Sequence, residues 1–298
     1  MNKIILSIKN VIGDFITWLL KHFAPAKMYL SWIYWLSFHY FPDFKHPKTF
    51  NEKIQCLKLY DHNPLYTLCA DKLLVRDYVK DKIGQKYLIK LLAVFEKPED
   101  ISLSQLPDKF AMKLNTGSSC NIICKDKSSL VEEEVIRKFT KWYKLKFYKR
   151  FKEIHYKPIK KRIICEELLE NANGEPIFDW KFFCFNGEPY ILMVDMGEAM
   201  NGCRNIYNMD WTRHTGYITH PQNYDYEVKK PDNFEEMLAV VRKLAADFYE
   251  VRVDLYLVNG TIYFGELTFT SGGGFLPFSN YEFDLELGKL FNVPTNNN

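Results

Sequence analysis

Two β-rich runs joined by Asn259-Gly260, in VRVDLYLVNGTIYFGELTFTSGGGF (residues 251–275), constrain the fold more than any other stretch, because they set Asp254 and Glu266 inside otherwise apolar strands. Val251, Val253, Leu255 and Leu257 alternate and so share one face, while Arg252, Asp254 and Tyr256 share the other. A two-residue turn at Asn259-Gly260 would pair Val258 with Thr261 and, counted back without interruption, place Glu266 on the core side. An unpaired carboxylate buried there is strongly unfavourable. The expected register is therefore a three-residue loop, Val258-Asn259-Gly260, with Gly260 left-handed as a bulge, pairing Leu257 with Thr261 and Asp254 with Phe264. The two carboxylates then become diagonal neighbours roughly 7–8 Å apart at the backbone, which suits one or two hard cations such as magnesium. Arg252 adds an anion clamp beside them. The alternative is a structural network of Arg252, Asp254 and Glu266. Ser271 and Gly272 open a glycine run whose backbone N–H groups suit an anion.

A chain of 298 residues, 47% hydrophobic and 26% charged, has the balance of a folded soluble protein of one large or two to three small domains. Its formal charge of +3 means that any anionic partner must be sought in local clusters. One exists: between Arg137 and Arg162 stand twelve Lys or Arg residues against a single acid, Glu153, interleaved with aromatic rings. This is either a solvated face or a surface for phosphates of nucleotide, lipid or nucleic acid. The seven cysteines are scattered without zinc-type spacing, which argues against a disulfide framework or a metal site and for a reducing cytoplasm.

Ile4, Ile8, Val11, Ile12, Phe15, Ile16 and Leu19 recur at helical spacing, with no cleavable signal pattern, so residues 1–45 are expected to be helical and aromatic. That helix lies either on a membrane face, at the inner side of the cytoplasmic membrane, or on its own domain. Residues 28–41, free of Lys, Arg, Asp and Glu, are too short to span a bilayer. Residues 47–84 read as two helices split at Asn63-Pro64, and residues 87–101 as a short strand and loop. Strand, small-residue turn and strand follow over 109–126, then one helix from Ser129 to Phe151, a hairpin turning at Asn186-Gly187, a loop from Glu198 to Arg213, and a helix from Asn233 to Phe248.

Taken in order, PKTFNEKIQCLKLYD, DKLLVRDYVKDKIGQKYLI, LPDKFAMKLNTGSSCNIICKD, IICEELLE, DWKFFCFNGEP and the carboxylate hairpin resemble the ATP-grasp superfamily. Among its branches they are most similar to the one related to TupA, a teichuronopeptide biosynthesis protein. The resemblance runs from about Pro47 to Phe291. It implies an α+β ATP-grasp fold in which two α+β subdomains, a lid over 109–164 and a catalytic subdomain over 165–298, clasp ATP, after a helical and short-strand region over 46–108. It implies that Lys113 and the flap Thr116-Gly117-Ser118-Ser119 cover the ATP phosphates, with Lys72 as an earlier phosphate contact. Glu166 and Glu167 would stand at the hinge that holds adenine and ribose, and Asp179 and Lys181 would line the same cleft. Asp254 and Glu266 would hold magnesium, with Arg252 and Lys181 at the transferred phosphoryl group. Thr268 departs from the pattern, since many relatives carry Asn there, so a second metal position would be weaker.

The activity implied is carboxylate–amine ligation through an acyl phosphate, joining an amine or amino acid to a carboxylated, uronic-acid-type sugar, nucleotide- or lipid-linked, in capsule or O-antigen assembly. A phosphotransferase or glycosyltransferase of the same pathway is the alternative. Arg204 and Arg213 could receive the sugar carboxylate. His155, His214 and His220 are not needed as nucleophile partners, and nucleic acid is not an expected ligand.

Overall fold

The computed structural model describes residues 2–197 and 202–295, with side chains from residue 13 onward. Helices α1 (Asn2–Phe23) and α2 (Ala26–Phe38) form a hairpin pinned by the Trp32 indole N–H, which donates to Thr17 Oγ1 at 2.9 Å. No described helix is long and apolar enough to cross a membrane. Helix α3 (Phe50–Tyr60) starts at a capping box: Thr49 accepts from the Glu52 N–H, and the Glu52 carboxylate accepts from the Thr49 N–H.

Where two helices were expected over 47–84, a further break follows α4 (Leu65–Ala70) and precedes α5 (Val75–Ile83). The Asp71 carboxylate accepts from the Leu73 N–H at 2.8 Å, a turn that competes with the helix. The break also presents Lys72, whose N–H donates to the Asn115 carbonyl.

Strands β1 (Leu91–Phe95), β2 (Phe110–Leu114), β3 (Asn121–Cys124) and β4 (Ile163–Glu167) form an antiparallel sheet in the order β1-β4-β2-β3. This sheet reaches outside 109–164, since β1 precedes that span and β4 crosses its end. Phe110, Met112 and Leu114 point to one side, packing with Phe95, Ile163 and Cys165 beneath helix α6 (Glu132–Tyr143), so Ala111 and Lys113 face the other way. The helix expected to reach Phe151 stops at Tyr143 and resumes only as α7 (Tyr148–Phe151). The Lys161 ammonium binds the Tyr143 and Leu145 carbonyls and so satisfies the helix end with a cation.

The second sheet, in the order β7-β6-β5-β8-β9, comprises β5 (Asp179–Phe185), β6 (Glu188–Asp195), β7 (Arg204–Asn208), β8 (Glu250–Val258) and β9 (Thr261–Thr268). Strand β7 replaces part of the expected loop, because Asn205, Ile206 and Tyr207 are buried as it pairs with the edge of β6. Glu198 to Asn201 of that loop lie outside the described residues. Helix α8 (Phe234–Ala245) covers the face carrying Phe182, Leu192, Val194, Val251, Val253 and Leu255. On the opposite face Phe183, Phe185, Ile191 and Met193 pack against α3 and helix α9 (Tyr281–Gly288).

The β8–β9 register corrects the expected loop. Asn259 (φ 50°) and Gly260 (φ 75°) form a two-residue turn, and Val258 pairs with Thr261. The extra residue is Gly265 instead: Leu255 pairs with Phe264, and Asp254 pairs directly with Glu266. The carboxylates are thus directly opposite rather than diagonal, on one face as expected. Glycine is needed there because a Cβ at 265 would lie 2.9 Å from the Asp254 carbonyl oxygen. Gly265→Ala is expected to destabilise the protein by ~1–3 kcal/mol, read from urea denaturation.

Candidate active site

The polar faces of the two sheets enclose a cavity of about 700 Å³. Its roof is Lys113 on β2 and Gly117, Ser118 and Ser119 in the turn before β3; its back is the hinge from Glu166 through Glu167 to Leu169; its floor is Asp179, Lys181, Asp254 and Glu266; Lys72 enters from the side. The fold thus brings together, from five separate stretches of chain, residues that the sequence had singled out one stretch at a time. None of His155, His214 or His220 lines the cavity.

Arg252 holds Asp254 with two bonds, Nε to Oδ1 at 2.7 Å and Nη2 to Oδ2 at 2.6 Å. The same Nη2 reaches Thr268 Oγ1 at 3.1 Å and Glu266 Oε1 at 3.4 Å. Lys72 Nζ lies 3.0 Å from the other oxygen of Glu266. Lys181 sits between Asp179 (3.0 Å) and Asp195 (2.9 Å), and Asp195 also accepts from Arg204 at 3.0 Å. Lys113 pairs with Glu166 at 2.6 Å, and Arg76 meets the same carboxylate at 2.8 Å.

Burial pushes the Asp254 carboxyl up, and Arg252 limits the rise to about 6. Burial also acts on Glu266, but Lys72 and Arg252 outweigh it and lower that carboxyl to about 2. Both are therefore ionised at neutral pH. Burial acts against the charge of Lys181, yet Asp179, Asp254 and Asp195 raise its pKa overall.

This donor set fits a nucleotide with magnesium. Among the described residues no group of three or more His, Cys, Asp or Glu side chains is placed to hold a metal by itself. Magnesium bound with a nucleotide needs only one or two carboxylates, the phosphates and water supplying the rest. The opposed Asp254 and Glu266 provide two; the Thr116 hydroxyl, buried behind the flap and not lining the cavity, finds no partner among the described residues. A proton on Asp254 competes with any cation held there, so divalent-cation binding at this pair is expected to weaken as pH falls through about 6 and to be full well above it. Calorimetric titrations across that range check this, and Asp254→Asn should flatten the dependence.

The remaining predicted residues do not line the cavity. Arg252 and Thr268 stand behind Glu266, and Arg204 reaches the site through Asp195. Arg213 instead donates to Gln222 Oε1 at 3.0 Å and to the Tyr226 carbonyl at 3.3 Å, bracing a loop away from the cavity. Ser271 is buried, while Gly272 is exposed in the turn Ser271–Gly274. Sequence reasoning missed Asp195, Arg76 and Asn115. The last holds the flap base, donating to the Lys160 carbonyl at 3.0 Å and accepting from the Arg162 N–H at 2.8 Å. Arg76, in the first turn of α5, stands four residues after Lys72 in the break before that helix.

A family model described as TupA-like ATPgrasp matches residues 52–292. No curated protein matches. Among solved structures, D-alanine–D-alanine ligase from Helicobacter pylori is similar at TM-score 0.44 and 16% identity, over 76% of this chain and 62% of that one. N5-carboxyaminoimidazole synthase from Aspergillus clavatus, in complex with ADP, is similar at TM-score 0.40 and 11% identity, over 68% and 44%. D-alanine–D-alanine ligase from Bacillus anthracis, complexed with ATP, gives 0.39 and 13%, over 67% and 53%. The chain spans less than two thirds of the length of each.

Proposed function

The chain belongs to the TupA-like ATP-grasp family, and on that premise we propose that it is an ATP-dependent carboxylate–amine ligase. The observation that carries this reading is the opposed pair Asp254 and Glu266, flanked by Lys72 and Arg252, on the floor of a cavity roofed by Lys113 and the small-residue flap. A carboxylate oxygen attacks the γ-phosphorus of ATP, giving an acyl phosphate and ADP; an amine then attacks the acyl carbon, phosphate leaves, and the amine proton goes to solvent or base.

Lys113, Lys72 and the flap Thr116 to Ser119 hold the phosphates, and the hinge at Glu166 and Glu167 takes the nucleoside. Lys181 on the floor offers positive charge to the phosphoryl group in flight, and Arg252 adds to it from behind Asp254 and Glu266. Asp254 and Glu266, with Thr268 as a weaker second position, would hold magnesium, which would supply neutralisation of phosphate charge. The acceptor in this reading is a uronic-acid-type sugar and the donor an amine or amino acid, in capsule or O-antigen assembly in the cytoplasm, with peripheral membrane contact.

Release of ADP and phosphate only when both a carboxylated sugar and an amine are present, with an amide found by mass, is the expected result. A phosphorylated sugar formed without amine would replace ligation by phosphotransfer.

A further inference from the structure

The α1–α2 hairpin carries apolar side chains outward. Phe23 is 73% exposed and Phe15 60%, and Trp18 packs against both, with ring centroids 6.3 Å from Phe15 and 5.8 Å from Phe23. On α2 and just beyond it, Trp35 stacks near Phe41, also largely exposed.

Beside this ridge runs the basic segment. The Tyr29 hydroxyl donates to the Arg150 carbonyl at 2.8 Å, and the Lys152 ammonium to the Lys21 carbonyl at 2.9 Å, which fixes α7 against the hairpin. Lys144, Lys146, Lys149 and Arg150 are exposed. The one acid of the segment, Glu153, is turned inward, accepting from the Thr270 hydroxyl, so it does not neutralise that face.

We propose that the hairpin and residues 144–152 form one docking surface for a bilayer containing anionic lipid. Exposed aromatic rings at a helix surface beside unneutralised cations match the two parts of such an interface, an apolar boundary and a negative headgroup layer. A second copy fits less well, because a two-fold contact through this face would bring basic segments together. The same segment touches the cleft at the flap, where Phe147 lies against Gly117. This deepens the membrane contact named in the proposed function, and its test needs no ATP.

The full chain is sedimented with phosphatidylcholine vesicles, with and without phosphatidylglycerol, at about 0.1 M and about 0.5 M salt. Expected is binding to the phosphatidylglycerol vesicles that weakens at the higher salt and falls at least about tenfold in Trp18→Ser/Phe23→Ser and in Lys146→Glu/Lys149→Glu. All four side chains are exposed, so both variants should keep the wild-type melting temperature; should the first not fold, the charge variant decides. No binding to phosphatidylglycerol vesicles, binding unchanged in the folded variants, or a dimer that the first variant dissociates would overturn the proposal. Vesicle binding without ATP turnover would sink the ligase reading alone.

Discussion

Glu266→Gln is expected to lower ATP turnover by about 10²–10³-fold while the protein stays folded, because it removes charge at the point where cation and phosphates meet. Glutamine keeps the size and one acceptor oxygen, but its amide cannot balance Lys72, which sits 3.0 Å from the carboxylate, or hold magnesium with the same strength. Lys72 and Arg252 hold the Glu266 carboxyl at about 2, so removing its charge costs some stability at neutral pH, but the side chain is 39% exposed and water screens the loss to about 1 kcal/mol. ADP release and thermal unfolding of the same preparation separate the two effects. A large loss of stability would make Glu266 a structural partner of Lys72 and Arg252 instead.

Arg252→Ala should have the opposite balance, with stability lost as well as activity. Asp254 is buried and its carboxylate takes two short bonds from Arg252, so removing the arginine leaves a buried charge without its main partner. Breaking such a pair costs ~3–5 kcal/mol, and the lower end applies because the carboxyl can take up a proton. A carboxyl whose folded pKa lies above its unfolded value loses stability as pH rises, so the deficit should grow above pH ~6 and shrink below it. Urea denaturation at two pH values checks this. Adding Asp254→Asn should recover part of the loss, since no charge is then stranded.

Much of this site was legible because alternation along β8 separates core from cleft, and because Lys113, the small-residue flap and the hinge acids stand next to recognisable strands. The register was not. Weighing a buried Glu266 against the preferred Asn-Gly turn led to a bulge in the loop, whereas Gly265 absorbs the extra residue within the strand. A glycine inside a strand pattern is itself a bulge signal. Asp195 was hidden for another reason: its role is to meet Lys181 across β5 and β6, a pairing that strand order creates and local pattern does not. Arg213 shows the converse, a cation in a polar loop that the fold uses to brace residues 222–226.

The most direct measurement is equilibrium binding of ATP by calorimetry at pH 7.5, about 1.5 units above the Asp254 midpoint, with and without magnesium. Binding that requires the metal in the wild type, and that is lost in Asp254→Asn/Glu266→Gln although the variant folds, is the expected result. Equal affinity of the two proteins for the metal–nucleotide complex would contradict it.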